Sequence, residues 1–294
     1  MANPTDKTDQ QAPGVYRRRI GDALVTTIND GFLDINFELL RGASLEDFQG
    51  LMRNAFRDGP PRLTVNAFVI QTDRNTILVD SGGGSTTVYS MGRLPENLRA
   101  AGFKPDDFDT VLVTHIHPDH TSGLLDTEGK PAFPRADVIV HEDEITFWSD
   151  KSLRDGRSAA ATPYLDSADR VLEAYRERFR PSQGGTVAAG VTQLPLPGHT
   201  PGHCGYRLDS AGETLVMWGD TVHVPEIQIP RPEVTSEYDI SEPLAAENRF
   251  KIFDYVAKER HLVTGGHLHL PGFAHIIPNG RGYQLVPEAW MVVI

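Results

Sequence analysis

Three imidazoles and a carboxylate stand within six residues at His115-Ile116-His117-Pro118-Asp119-His120. Imidazole nitrogen and carboxylate oxygen are ligand types that suit zinc and related divalent ions. The stretch directly follows Asp109 to Thr114, a short apolar run that reads as a buried strand. Side chains alternate along a strand, so at its end His115 and His117 can point the same way. If Pro118 breaks that geometry, Asp119 and His120 can face a second position nearby. A polar loop whose histidines bind nothing is the ordinary reading of a lone histidine. Four ligand-type residues at this spacing make it the weaker one here.

A catalytic metal usually takes three protein groups and leaves a position open, so more ligands are required. Three strand-to-loop junctions downstream offer them: Pro197-Gly198-His199-Thr200-Pro201-Gly202-His203, Trp218-Gly219-Asp220-Thr221 and Thr264-Gly265-Gly266-His267. Singly, each is as well explained by a turn or a strand end. Their recurrence after short apolar runs is what decides.

The elements that must position these groups alternate between strand and helix. Val15 to Ile35 reads as an antiparallel ribbon, and Ser44 to Phe56 as a helix with Ser44 as N-cap and Asp47 at its third position. Strands are expected at Thr64 to Gln71, Thr76 to Asp80, Val138 to Val140, Val191 to Leu196, Cys204 to Leu208, Glu213 to Trp218 and His261 to Thr264. Helices are expected at Leu94 to Ala101, Glu142 to Asp150, Tyr164 to Phe179 and Pro243 to Glu259. No linker-like composition shift divides the chain, so the expectation is a loose tail over residues 1-14 and one α/β domain over 15-294.

The net charge of −12 leaves no basic surface for tracking phosphates, which disfavours nucleic acid as a partner. No apolar stretch approaches the roughly 20 residues that cross a bilayer. The polar N-terminus lacks a signal core, and Cys204 is the single cysteine, so a reducing cytoplasm is the expected setting.

The HxHxDH run with the distant His199, Asp220 and His267 resembles the pattern of the metallo-β-lactamase superfamily. That resemblance implies a four-layer αβ/βα sandwich, with His115, His117 and His199 on one metal, Asp119, His120 and His267 on another, and Asp220 bridging. Leu78-Val79-Asp80-Ser81-Gly82 also matches, with Asp80 behind the ligand loop and His203 as a further supporting residue. Within the superfamily the chain is most similar, from about Leu63 to Trp290, to methyl parathion hydrolases and their lactone- and aryl-ester-cleaving relatives. The similarity rests on Val65-Asn66-Ala67-Phe68, Met91-Gly92-Arg93-Leu94, Phe147-Trp148, Arg231 to Thr235, Pro271-Gly272-Phe273 and Gly282-Tyr283. It implies Trp148, Phe147, Tyr89, His223 and Phe273 as substrate-facing residues.

Two divalent ions per chain are therefore expected, zinc first, with manganese, cobalt or iron as alternatives. A water between two such ions reaches a pKa near about 7 and attacks as hydroxide. Asp119 is the candidate to carry the proton to the leaving group. The acidic composition and apolar candidates favour a small neutral lactone or aryl ester as the partner molecule, with organophosphate triesters next. A homodimer stays open. A mononuclear iron persulfide dioxygenase is the alternative from another class, disfavoured by the complete second ligand set.

Overall fold

The computed structural model describes residues 11–84, 90–154 and 162–292. The chain opens with β1 (Val15–Ile20) and β2 (Ala23–Asp34), paired antiparallel, then β3 (Leu40–Arg41) and α1 (Leu45–Asn54). It continues through β4 (Arg62–Gln71), β5 (Thr76–Val79), α2 (Leu94–Ala100), β6 (Thr110–Leu112), α3 (Pro118–Thr121), β7 (Asp137–His141), α4 (Glu142–Ser149), α5 (Thr162–Ala174) and β8 (Phe179–Ser182). The second half carries β9 (Gly185–Ala188), β10 (Val191–Pro195), β11 (Cys204–Ser210), β12 (Glu213–Met217), α6 (Pro225–Gln228), β13 (Thr235–Ser236), α7 (Glu242–Glu259), β14 (Leu262–Thr264), β15 (Ala274–Asn279) and β16 (Gly282–Pro287).

Two seven-stranded sheets result, in the orders β1-β2-β4-β5-β6-β7-β8 and β16-β15-β14-β12-β11-β10-β9. Their facing surfaces follow from the period-two alternation of strand side chains. Phe68, Ile70, Ile77 and Val79 point toward Tyr206, Leu208, Leu215 and Met217 of the other sheet, in one buried cluster. The alternate residues Ala67, Val69 and Leu78 turn outward against α2, α4 and α5. On the far side Val216, Val263 and Ile276 pack on Ile252, Phe253 and Val256 of α7. The layers therefore run helix, sheet, sheet, helix, and this is the αβ/βα sandwich.

Strand direction decides where the chemistry collects. β5, β6, β7 and β8 are mutually parallel, so β6 releases the His115 loop at its C-terminal end. β10 and β12 are both antiparallel to β11, and β14 is parallel to β12. The three loops that follow β10, β12 and β14 thus leave one edge of the second sheet, carrying His199, Asp220 and His267.

Ser44 caps α1 with a reciprocal Asp47 contact. The helix expected over Tyr164 to Phe179 is shorter, because α5 ends at Ala174 and Phe179 opens the edge strand β8. Pro181 and the two flanking polar residues hide that strand, since proline is tolerated at a sheet edge where no ladder donor is required. β9, β15 and β16 are likewise edge or near-edge strands, with Pro278 and Pro287 interrupting the β-type pattern. Among the described residues no helix is long and apolar enough to cross a membrane.

Arg249 of α7 is 1% exposed and carries an unusual burden. Its guanidinium donates to the carbonyls of Thr221 at 2.6 Å, Pro232 at 2.8 Å and Val234 at 2.7 Å. It thereby ties α7 to the loop that follows Asp220. Arg249→Met should strand the buried carbonyls of Thr221 and Pro232, leave that of Val234 to the Gln228 side chain alone, and cost about 3 kcal/mol of stability in a denaturant titration. Arg249→Lys should recover only part, because an ammonium cannot reproduce the planar fork. A loss below about 1 kcal/mol for the Met variant would contradict this role.

Candidate metal centre

The β6 strand ends at Leu112, and Thr114 to His117 continues extended before Pro118 starts the single turn of α3. Proline fits a first helical position, where its missing N–H costs nothing. The turn places Asp119 and His120 on a different side from His115 and His117. Gly219 has a φ of 55°, and a Cβ there would lie 2.6 Å from His203 Nε2 and 3.0 Å from the Cys204 carbonyl. Only glycine lets the β12 loop approach so closely.

Around Asp220 the rings converge. His199 Nε2 lies 3.2 Å from His115 Nε2 and 3.0 Å from His117 Nδ1. Asp220 Oδ2 lies 3.0 Å from His267 Nε2, 3.5 Å from His199 Nε2 and 3.7 Å from His115 Nε2. Its Oδ1 lies 3.2 Å from His120 Nε2. Asp119 Oδ2 approaches His120 Nε2 at 3.5 Å and His267 Nε2 at 3.7 Å. The overlapping groups His115/His117/His199, His115/His120/Asp220, Asp119/His120/His267 and His199/Asp220/His223 each bring their ligand atoms within 4.8 Å of one another.

The other ring nitrogens are already committed. His120 Nδ1–H donates to Asp80 at 2.8 Å, His199 Nδ1–H to Asp239 at 3.0 Å, and His267 Nδ1–H to the Thr64 carbonyl at 2.8 Å. Thr114 gives its hydroxyl proton to Asp80 at 2.9 Å, so its oxygen accepts from His115 Nδ1–H at 3.0 Å. Each of these four rings therefore presents a bare Nε2 to the centre. His120 Nε2 and Asp220 Oδ1 are buried with no hydrogen-bond partner. Such atoms are costly unless something satisfies them, and a divalent cation fits this donor set.

The electrostatics agree. Burial holds the His115 and His117 pKa values well below the usual imidazole value, with His120 and His199 respectively adding to the effect. For His120 burial acts the same way, but the carboxylates of Asp220, Asp119 and Asp80 overcome it and raise the pKa. Burial opposes ionisation of Asp220, and the surrounding His120, His267 and His115 more than reverse this, lowering its pKa. A field that attracts a proton to His120 equally attracts a cation.

His203 takes no place among the converging atoms. It donates from Nδ1 to the Leu196 carbonyl at 2.8 Å and accepts the Asp220 N–H at Nε2, 2.9 Å away. Burial brings its pKa down to about 3. It thus fixes the backbone of Asp220.

The cleft above the centre is lined by Leu33, Leu63, Tyr164 and Tyr238, together with the ligand-type residues and His223. Of the aromatic residues expected there, Trp148 is a correction. It is 4% exposed, its indole N–H donates to Glu144 at 2.9 Å, and its ring packs edge-on behind His117 at 5.6 Å. That hydrogen bond across one helical turn directs it into the core. Phe147 packs at the margin of the same core, and Phe273 lies between the sheets against Tyr16. Tyr89 lies outside the described residues. Tyr164 and Tyr238 were not singled out in the sequence, and neither carries a motif that marks it. Asp239, which accepts from His199, and Glu144, which accepts from the Ile116 and Gly202 N–H groups, were missed for the same reason, being single acids distant in sequence from their partners.

Asp239→Asn should weaken metal binding roughly 10- to 100-fold by removing the acceptor that orients His199. Asp220→Ala should lower the bound metal further still, while His203→Gln should have the smallest effect. Metal analysis after dialysis against a chelator series orders the three, and equal metal content in all of them would break this ligand assignment.

Residues 60–267 match the family described as the metallo-beta-lactamase superfamily. An N-acyl homoserine lactonase from Bacillus sp is 24% identical over 247 residues, covering 77% of this chain and 86% of the relative. The crystal structure of AbOPH, a hydrolase in the beta lactamase superfamily, is 31% identical, with a TM-score of 0.89 over 96% of this chain and 100% of that one. The dizinc quorum-quenching lactonase AidC, solved with its product, shares the fold at a TM-score of 0.90 and 23% identity over 96% of this chain and 100% of that one. With the ligand constellation, the layered sandwich and these similarities together, the chain belongs to the metallo-β-lactamase superfamily as a metal-dependent hydrolase.

Proposed function

We propose that the chain hydrolyses small hydrophobic lactones, with N-acyl homoserine lactones as the leading class and aryl esters as related substrates. The observation that carries this reading is Asp220, whose carboxylate lies 3.2 Å from His120 and 3.0 Å from His267 on one side and 3.5 Å from His199 and 3.7 Å from His115 on the other, beneath a cleft walled by Leu33, Leu63, Tyr164 and Tyr238. The lactonase names among its relatives point the same way.

In this reading His115, His117 and His199 would hold one divalent ion, Asp119, His120 and His267 would hold a second, and Asp220 would be available to both. When bound, the ions, zinc by preference for this donor set, would supply Lewis acidity and lower the pKa of a water toward about 7. Asp119 has the more exposed of the two carboxylates, at 15% against 3% for Asp220, and faces the cleft. It takes the proton of the attacking water and returns it to the departing alkoxide. His223 is buried at 2%, stacks on His267 and leaves both ring nitrogens without a hydrogen-bond partner. Burial lowers its pKa, so it acts as a neutral imidazole that can donate to a polar group of the substrate. The aliphatic and tyrosyl walls exclude water from an acyl chain.

Purified protein should carry about two divalent ions per chain, and chelation should abolish lactone hydrolysis that zinc, cobalt or manganese restores. One firmly held iron per chain with oxygen uptake in place of hydrolysis would overturn the proposal in favour of a dioxygenase. A panel of lactones, aryl esters and phosphotriesters on metal-loaded protein should rank the lactones first by kcat/KM, and phosphotriesters ranking first would reassign the substrate.

Tyr164→Ala should reduce kcat/KM about tenfold for a long-chain N-acyl lactone, equivalent to about 1.4 kcal/mol, and much less for an unsubstituted lactone. His223→Phe should lower kcat/KM for both at unchanged metal content. Metal loss in the His223 variant would make that residue a ligand instead.

A further inference from the structure

We propose that Glu144 is a positioning residue that clamps the His115–His117 loop to the His199 loop and so sets the metal affinity of the three-histidine group. This rests on the reading that His115, His117 and His199 together hold an ion. Glu144 lies in the first turn of α4, is 0% exposed, and is remote in sequence from every ligand.

Both of its oxygens are used. Oε2 accepts the Ile116 N–H at 2.8 Å and the Trp148 indole N–H at 2.9 Å. Oε1 accepts the Gly202 N–H at 3.0 Å. Ile116 is the residue between His115 and His117, and Gly202 is three residues beyond His199. One carboxylate therefore spans the two loops from which the three rings project. A second link, the Cys204 N–H to the Thr114 carbonyl at 3.0 Å, joins the same segments farther along. Two separated tethers fix both the distance and the rotation of one loop against the other, where one alone would leave a hinge.

Gly202 is matched to this contact. A Cβ at that position would stand 2.6 Å from the Glu144 backbone nitrogen and 2.9 Å from its Cγ, so the loop comes this near only as glycine. Charge matters as well as shape. Three N–H groups face the carboxylate, with the Thr200 hydroxyl beside them, and a carboxylate has acceptor capacity on both oxygens. A glutamine of equal size would turn its NH2 toward one of these donors and lose that tether. The Asp119/His120/His267 group has no hydrogen bond to Glu144 among the described residues and takes its orientation from Asp80 and Thr64.

The test compares wild type, Glu144→Gln, Gly202→Ala and Trp148→Phe. Stepwise zinc affinities are measured by chelator competition, and cobalt-loaded protein is examined by proton NMR for the shifted imidazole N–H signals. Wild type should bind two ions. Glu144→Gln should weaken one binding step about 10- to 100-fold and leave the other within about threefold. The cobalt-shifted signals that move or vanish should be those of His115, His117 and His199. Gly202→Ala pushes the loop off an intact carboxylate and should give the same single-position loss, which covers failure of Glu144→Gln to fold. Trp148→Phe removes one donor without releasing either loop, so it should lower the melting temperature while both affinities stay within about threefold. Wild-type affinities at both positions in Glu144→Gln and Gly202→Ala would overturn the clamp. Equal weakening of both steps in proportion to lost stability would also overturn it, by reducing Glu144 to a core residue. Failure of the wild type to take up two ions would instead bring down the two-metal reading on which the clamp rests.

Discussion

An imidazole can turn a lone pair toward a cation only when its other nitrogen holds the proton, and in this protein the fold holds it. Asp80, Asp239, the Thr114 hydroxyl and the Thr64 carbonyl each take one N–H, leaving four bare Nε2 atoms around a buried aspartate. Without those acceptors the rings could flip or change tautomer, and the convergence would be an accident of packing. The acceptors come from four separate parts of the chain, so the centre depends on the whole sandwich being assembled.

Strain at one of them illustrates the dependence. Asp80 has a φ of 59°, in the left-handed region that non-glycine residues rarely occupy. Such a conformation costs on the order of 1 kcal/mol or more and persists where its surroundings fix it. Here the fixing contacts are the Thr114 N–H at 2.8 Å, the Thr114 hydroxyl and the His120 ring. The strained backbone aims a single carboxylate at the strand end and at the helix that follows it. It thus steadies His115 indirectly and His120 directly, one from each proposed metal position.

The ligand-bearing loops were legible in the sequence because short-range chemistry writes them. His115 to His120 is a local cluster, and His199, Asp220 and His267 each follow a buried strand with glycine alongside. The sandwich was legible through the resemblance and through the alternation of strand and helix. The edge strand β8 was not, because a strand paired on one side has little need of an apolar run and tolerates Pro181, and β15 pairs with β14 only at Ala274, so its Pro278 lies where β16 is the sole partner. Asp239 and Glu144 were silent for a different reason. An acid that acts on a residue 40 or 58 positions away carries no spacing signal, and only the folded chain reveals the contact. Trp148 shows the converse: an aromatic pair placed by resemblance in the cleft is turned inward by its own helix, toward a carboxylate one turn back.

The proposed metal-binding groups and the proposed substrate walls come from different elements. The former leave the C-terminal ends of β6, β10, β12 and β14, while Leu33 and Leu63 sit at the ends of β2 and β4, Tyr164 on α5 and Tyr238 between β13 and α7. A change in Leu33 or Tyr164 alters the shape of the cleft without disturbing any N–H that sets a histidine tautomer. Substrate preference can therefore shift while the hydrolytic chemistry is retained, as expected where a function lives in loops carried by a rigid scaffold. His223 is where the two sets meet. It lies 3.4 Å from Asp220 on one side and 5.9 Å, ring to ring, from Tyr238 on the other. A substitution there acts on the electrostatics around Asp220 and on the shape of the cleft at once, and in the proposed reading substrate choice and metal chemistry would constrain each other at this position.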